Sequence, residues 1–148
     1  MIFPSNKPRT NNTITGNATT NTQGAGVALF NGGNTIQFNT ITGNTGYGGI
    51  GSISTTANDI SNNWWGSATG PTNSDNPGGT GDKLWTNKAI TLLTYRPWCA
   101  DAACTSFNPP VHNVTQDTWF ATIQGAIDVA QEDDFITVAT GTYLENIT

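Results

Sequence analysis

Charge is scarce in this chain. Only 10% of residues are Asp, Glu, Lys or Arg, and the five cations are scattered as Lys7, Arg9, Lys83, Lys88 and Arg96. With no basic patch and a net charge of −5, nothing is placed to neutralise a phosphate backbone, so nucleic acid is not an expected partner. No apolar run reaches the ~18 residues needed to cross a bilayer, so no membrane insertion is expected. The residues after Met1, IFPSNKPRTNN, lack the apolar core of a signal peptide. Two cysteines and one histidine do not make a zinc site without further ligands. Hydrophobic residues are 35% of the total, below the usual globular share, so the core must be thin.

What the chain has instead is 26 Thr, 18 Asn and 17 Gly, a balance that favours short strands and dense turns over helices. The hexapeptide NTITGN occurs twice, as Asn12–Asn17 and again as Asn39–Asn44. A fixed period of about 20–50 residues marks an architecture in which each repeat covers the apolar face of its neighbour. Alternation turns Ile14 and Ile41 to one face and the flanking Thr to the other, and Gly-Asn then turns the chain.

The two copies continue in the same order. Gly49-Ile50 matches Gly26-Val27, and Asn58-Asp59-Ile60 stands where Asn34-Thr35-Ile36 stood. Loops vary while strands hold, with a polar loop over 18–24 and three short strands per repeat. Asn12 should therefore stack on Asn39, and Asn17 on Asn44, as ladders of amides that satisfy the turn groups. The first ten residues, with Pro4 and Pro8, read as an arm or a broken preceding coil.

After Ile60 the composition changes to NNWWG, then Gly70-Pro71, then NPGGTGD over 76–82, with Ala89–Leu93 as a last β-like run before Tyr95-Arg96-Pro97-Trp98. Cys99 and Cys104 enclose a four-residue loop expected to close as a disulfide in an oxidising compartment. Asn108-Pro109-Pro110 reads as linker. Beyond it, Ile123, Ala126, Ile127 and Ala130 form one apolar stripe at helical spacing. Phe135–Val138 reads as a strand, and Tyr143–Ile147 as the start of another.

The pattern N-N-W-W-G…G-P…N-P-G-G-x-G-D…Y-x-P-W resembles the closing segment of bacterial right-handed parallel β-helix repeat proteins of the pectate-lyase-like group, and the NTITGN coils are similar to that group's repeats. The arrangement I-Q-x-A-I-D-x-A…D-x-I-x-V-x-x-G-T-Y-x-E is similar to the opening of such a β-helix, where a helix caps the first coil. The resemblance implies an all-β chain divided at 1–98 (coils and closing segment), 99–110 (linker) and 111–148 (cap helix and first coil of a second β-helix). It also implies a slice of a longer tandem protein, extracellular or on a bacterial cell surface.

Chemistry is harder to place. Calcium-dependent lyase action needs acids stacked on one face and a base beside them. Of the ten acids only Asp59 lies within the two matched copies, where its counterpart is Thr35, so no acid stacks on another there, and the resemblance carries no catalytic residue onto this chain. Asp133-Asp134 lies in the one run of adjacent acids, Glu132-Asp133-Asp134, and reads as a solvated turn, not as the separated pair that glycoside hydrolysis needs. Gly78-Gly79-Thr80-Gly81-Asp82 resembles one shortened calcium-binding nonapeptide. As a single copy it reads as a tight turn capped by Asp82; as a metal site it would make Asp75 and Asp82 the calcium ligands. Trp64, Trp65, Trp85 and Trp98 read either as an aromatic cap or as a sugar-stacking platform. Asn-x-Thr triplets at Asn11, Asn17, Asn113 and Asn146 are expected by chance in such a composition.

The expected function is a non-catalytic surface or secreted module, a scaffold, adhesin or glycan-binding stalk, with a polysaccharide or cell-surface glycan as partner and no cofactor. The competing expectation is part of a polysaccharide lyase or hydrolase whose catalytic coils lie outside the segment.

Overall fold

The computed structural model describes residues 10–20 and 26–148; the arm through Arg9 and loop residues 21–25 lie outside them. Strands dominate, with one short α-helix. In order they are β1 (Thr13–Thr15), β2 (Val27–Leu29), β3 (Thr40–Thr42), β4 (Ile50–Ser52), β5 (Asn58–Asp59), β6 (Pro71–Thr72), β7 (Gly81–Thr86), β8 (Leu93–Thr94), β9 (Trp98–Cys99), β10 (Phe107–Asn108), β11 (Val111–Asn113), β12 (Thr118–Phe120), α1 (Ile123–Ile127) and β13 (Ile136–Val138).

The two hexapeptides lie side by side. β1 pairs parallel with β3, and Ile14 stands opposite Ile41. The next position of each pass pairs β2 with β4, Val27 opposite Ile50, and β4 with β7, Ile50 opposite Leu84. A third ladder pairs β5 with β8. All are parallel, so the same apolar position of successive passes meets in one column. Ile41, Ile50, Ile60 and Trp65 are fully buried there, with Val27, Ile36 and Leu84 nearly so. Burying each such side chain contributes roughly 1.5–3 kcal/mol. Ser52, Ser54 and Ser61 are small polar residues that are buried as well.

Asparagine side chains bind the passes together at the corners. The Asn39 Oδ1 accepts from the backbone N–H (3.0 Å) and the Nδ2 (2.9 Å) of Asn12. Asn39 repeats the arrangement onto the Oδ1 of Asn63, at 2.9 and 3.0 Å. Asn17 donates in the same way to Asn44, and Asn44 to the Asp82 carboxylate at 3.0 and 2.6 Å. Asn34 and Asn58 make a third pair. Each residue of the first ladder follows a corner in the left-handed region: Asn11 (φ 57°), Phe38 (φ 54°) and Asn62 (φ 55°). Asn suits this conformation and Phe does not. Phe38 sits there half in solvent, its ring edge-on to Phe107 at 6.5 Å.

Several expected elements differ. Within the segment read as closing, β7 is the longest strand among the described residues and lies in register with β4. Ala89–Leu93 is mostly a 3-10 turn over Ile90–Leu92. The helical stripe is shorter than its spacing implies. Ala126 is buried, but Ile127 and Ala130 are exposed, and α1 ends at Ile127. Gly125 in its middle weakens so short a helix. Residues 143–147 form no strand. The unit after Val111 is a three-stranded antiparallel sheet in the order β12-β11-β13.

Candidate functional site

The groove between the stack and the β11–β12 hairpin is where the chain's chemistry converges. From the stack side come Tyr95 and Arg96, which follow β8, and Asp75 from the loop between β6 and β7. The Arg96 guanidinium donates through Nη1 to the Asp75 carboxylate at 2.6 Å and through Nη2 to the Asp75 carbonyl at 3.0 Å. The Tyr95 hydroxyl donates to the same carboxylate at 2.8 Å. Arg96 lies 4.6 Å above the Tyr95 ring, and that ring stacks on Trp98.

From the other side comes the hairpin. β11 pairs antiparallel with β12, placing His112 opposite Trp119. Val111 and Asn113 are buried, so alternation turns His112 and its cross-strand partner to the other face. Their rings are stacked, 4.1 Å apart and 3° from parallel, and His112 Nε2 lies 3.1 Å from Asp117 Oδ1. Two adjoining hollows, of about 740 and 360 Å³, share Arg96, Asp117 and Trp119 in their walls. Thr69, Asn108 and Phe120 line the larger, and Asp75 and His112 the smaller.

Charge in the groove is fixed by these contacts. Burial pushes the Asp75 carboxyl upward, but hydrogen bonds from Arg96 and Tyr95 and the Arg96 charge outweigh it and hold it below the ordinary 3.8. Burial first, and the Asp75 hydrogen bond second, push the Tyr95 hydroxyl well above its usual value, so it remains a neutral donor. A depressed carboxylate contributes stability that is present above its unfolded value and is lost as pH falls through its folded one. Asp75→Asn is therefore expected to lower the melting midpoint at pH 7, with the gap from the unsubstituted protein closing in acid below 3.8. Nearly half of the Asp75 side chain is in solvent, so the effect is under about 1 kcal/mol. Thermal melts of both proteins across that range decide it; a gap that does not change with pH would detach it from the carboxylate.

The residues singled out from sequence fall in different places. Trp65 is fully buried in the core, whereas Trp98, also largely buried and with its indole N–H donating to the Ala68 carbonyl at 2.9 Å, borders the larger hollow. Trp64 stands in register with Thr40 and Trp85 with Gly51, in separate columns. Both are half-buried, and Trp85 meets Tyr47 edge-on at 5.5 Å. The four do not form one platform, because alternation and the column geometry divide them. Asp75 and Asp82 also separate, one in the groove with Arg96 and the other ending the Asn17–Asn44 ladder. Among the described residues no cluster of three or more His, Cys, Asp or Glu is placed to hold a metal. Cys99 and Cys104 are paired as a disulfide, a bond that persists in oxidising compartments. Among the described residues no helix is long and apolar enough to cross a membrane.

Sequence reasoning passed over Trp119, His112 and Asp117. The available signal was two three-residue β-like runs, VHN and TWF, flanking VTQD, which read as a hairpin. No protein-family description, curated protein or solved structure matches this chain.

Proposed function

We propose that residues 11–98 are coils of a right-handed parallel β-helix, and that the protein is a secreted or cell-surface glycan-binding module of bacterial type without catalysis of its own. The observation that carries this reading is the shared register of successive passes, where the same apolar column and the same asparagine ladders recur from one pass to the next. Such a stack gives a rigid support, and polar residues that would otherwise be free for chemistry are spent on holding passes together. The groove against the hairpin supplies a recognition surface with stacked rings and fixed hydrogen-bonding groups, the usual composition of a small-molecule site.

The enzymatic alternative has one observation in its favour, two carboxylates, Asp75 and Asp117, lining the same hollow. A hydrolase needs one of its pair protonated near neutrality, with a raised pKa. Asp75 is shifted the opposite way and does not fit the role of that acid. The test is affinity electrophoresis through gels containing neutral and acidic polysaccharides, with parallel assays for new reducing ends and for unsaturated products. Retardation without product formation is expected. Steady product formation would replace the module with a lyase or hydrolase.

A further inference from the structure

We infer that the groove between the closing residues of the stack and the β11–β12 hairpin takes a neutral saccharide, with Trp119 and His112 as the apolar wall and Asp117 and Asp75 as acceptors for its hydroxyls. The inference rests on the glycan-binding reading and narrows it to one site and one class of sugar.

Charge decides the class. The groove holds two carboxylates and one guanidinium, and that guanidinium is already bound to Asp75 through both its terminal nitrogens, at 2.6 and 3.0 Å. An acidic sugar would bring a third carboxylate to a surface whose cation is occupied, on a chain of net charge −5. Like charges brought together without a counterion are disfavoured. A neutral sugar meets no such cost. Its hydroxyls donate to carboxylate oxygens, and charge-assisted hydrogen bonds of this kind are the stronger sort. Asp117 suits this role, since 91% of its side chain is solvent-exposed and it meets His112 through one oxygen.

Shape agrees. His112 and Trp119 are locked against each other at 4.1 Å, so the aromatic wall is ordered before a ligand arrives, which limits the entropy lost on binding. The two hollows, of about 740 and 360 Å³, adjoin across Arg96, Asp117 and Trp119, which is more room than one sugar ring fills. That favours a short oligosaccharide over a single sugar. The outward cluster of Tyr47, Lys83 and Trp85 has a ring and a cation, Lys83 Nζ lying 5.5 Å over Tyr47, and none of its residues lines either hollow of the groove, so it serves as the control surface.

The experiment is calorimetric titration of the full chain with cellohexaose, mannohexaose and maltohexaose, and with hexagalacturonate as the acidic comparison. Binding of at least one neutral hexasaccharide, stronger than hexagalacturonate and little changed by added salt, is expected. Trp119→Ala should weaken it by about tenfold or more, a loss of roughly 1.4 kcal/mol, and Asp117→Asn by a similar factor. Trp85→Ala should leave it unchanged. Asp117→Asn removes charge from an exposed side chain without changing its size, so it reads the site even where Trp119→Ala disturbs the hairpin. Tighter binding of hexagalacturonate would overturn the neutral class while leaving the glycan-binding reading in place. Neutral binding that survives both groove substitutions would overturn the site and leave the same reading. Failure of all four sugars to bind would remove the inference and the reading together.

Discussion

Replacing Ile41 with Asp abolishes the cooperative unfolding transition of the stack. Ile41 is fully buried, lies opposite Ile14 in the β1–β3 ladder, and its backbone N–H donates to the Trp64 carbonyl of the next pass at 2.8 Å. The neighbouring side chains of this cluster are apolar, so a carboxylate there has no cation to meet. An unpaired buried charge costs several kcal/mol, against a total stability of about 5–15 kcal/mol for a domain. The apolar side chains of the cluster pack directly around this position, which leaves little room to relax. Two companions make the result specific. Ile41→Val, which removes one methylene, should cost about 0.5–1.5 kcal/mol and keep the transition. Thr13→Asp puts the same charge on the exposed face of the same ladder and should change little. Burial raises the pKa of the carboxyl introduced by Ile41→Asp, so the damage should be greater at pH 7 than in mild acid. Circular dichroism melts of the three variants measure all of this. An unchanged midpoint for Ile41→Asp would mean that the inward face has been assigned wrongly.

That face was legible because NTITGN recurs residue for residue while the loops between strands change length. The register of Thr13 with Thr40 follows from the repeated hexapeptide, and that of Val27 with Ile50 from the match of Gly26-Val27 with Gly49-Ile50. The third pass was not legible, and the reason is physical. The loop over 66–80 lengthens the interval, so Ile50 meets Leu84 instead of a residue one ordinary period on. Leu84 between Lys83 and Trp85 carried the alternation, but a period search loses it. The ladders show the same limit. Asn12–Asn39 and Asn17–Asn44 were visible as identical residues at identical offsets, whereas their third members were hidden, one by a run of two Asn and two Trp and the other by the change from Asn to Asp82. Trp64 and Trp65 illustrate what local rules do settle: adjacent residues of an extended chain face opposite ways, and one is half-exposed while the other is buried. The groove lies beyond such rules. Asp75, Arg96, His112 and Trp119 belong to four separate segments, and only the packing of the hairpin against the stack brings them together.

Asn63→Asp should destabilise the protein by roughly 3–5 kcal/mol, although it exchanges one atom. The Asn63 side chain is fully buried. Its Oδ1 accepts from the Asn39 N–H and Nδ2 at 2.9 and 3.0 Å. Its Nδ2 faces three carbonyls, those of Ile36 and Ile60 at 2.7 Å and Ser61 at 3.2 Å. A carboxylate keeps the acceptor, loses both N–H donors and turns an anionic oxygen toward three carbonyl oxygens. For a chain of this size the drop in melting midpoint should be on the order of 10 °C. The reverse exchange at the end of the other ladder has the opposite expectation. Asp82 only accepts, from the Asn44 N–H and Nδ2 through its Oδ2, and an amide oxygen can accept both. Asp82→Asn should therefore cost less than about 1 kcal/mol, the loss of charge assistance alone. The same chemical change in two directions thus separates an interior rung, which must donate and accept, from a terminal one, which need only accept. Equal effects at both positions would mean that ladder polarity does not set these residues. Unequal effects in the stated order would tie the choice between Asn and Asp to the direction in which each ladder runs.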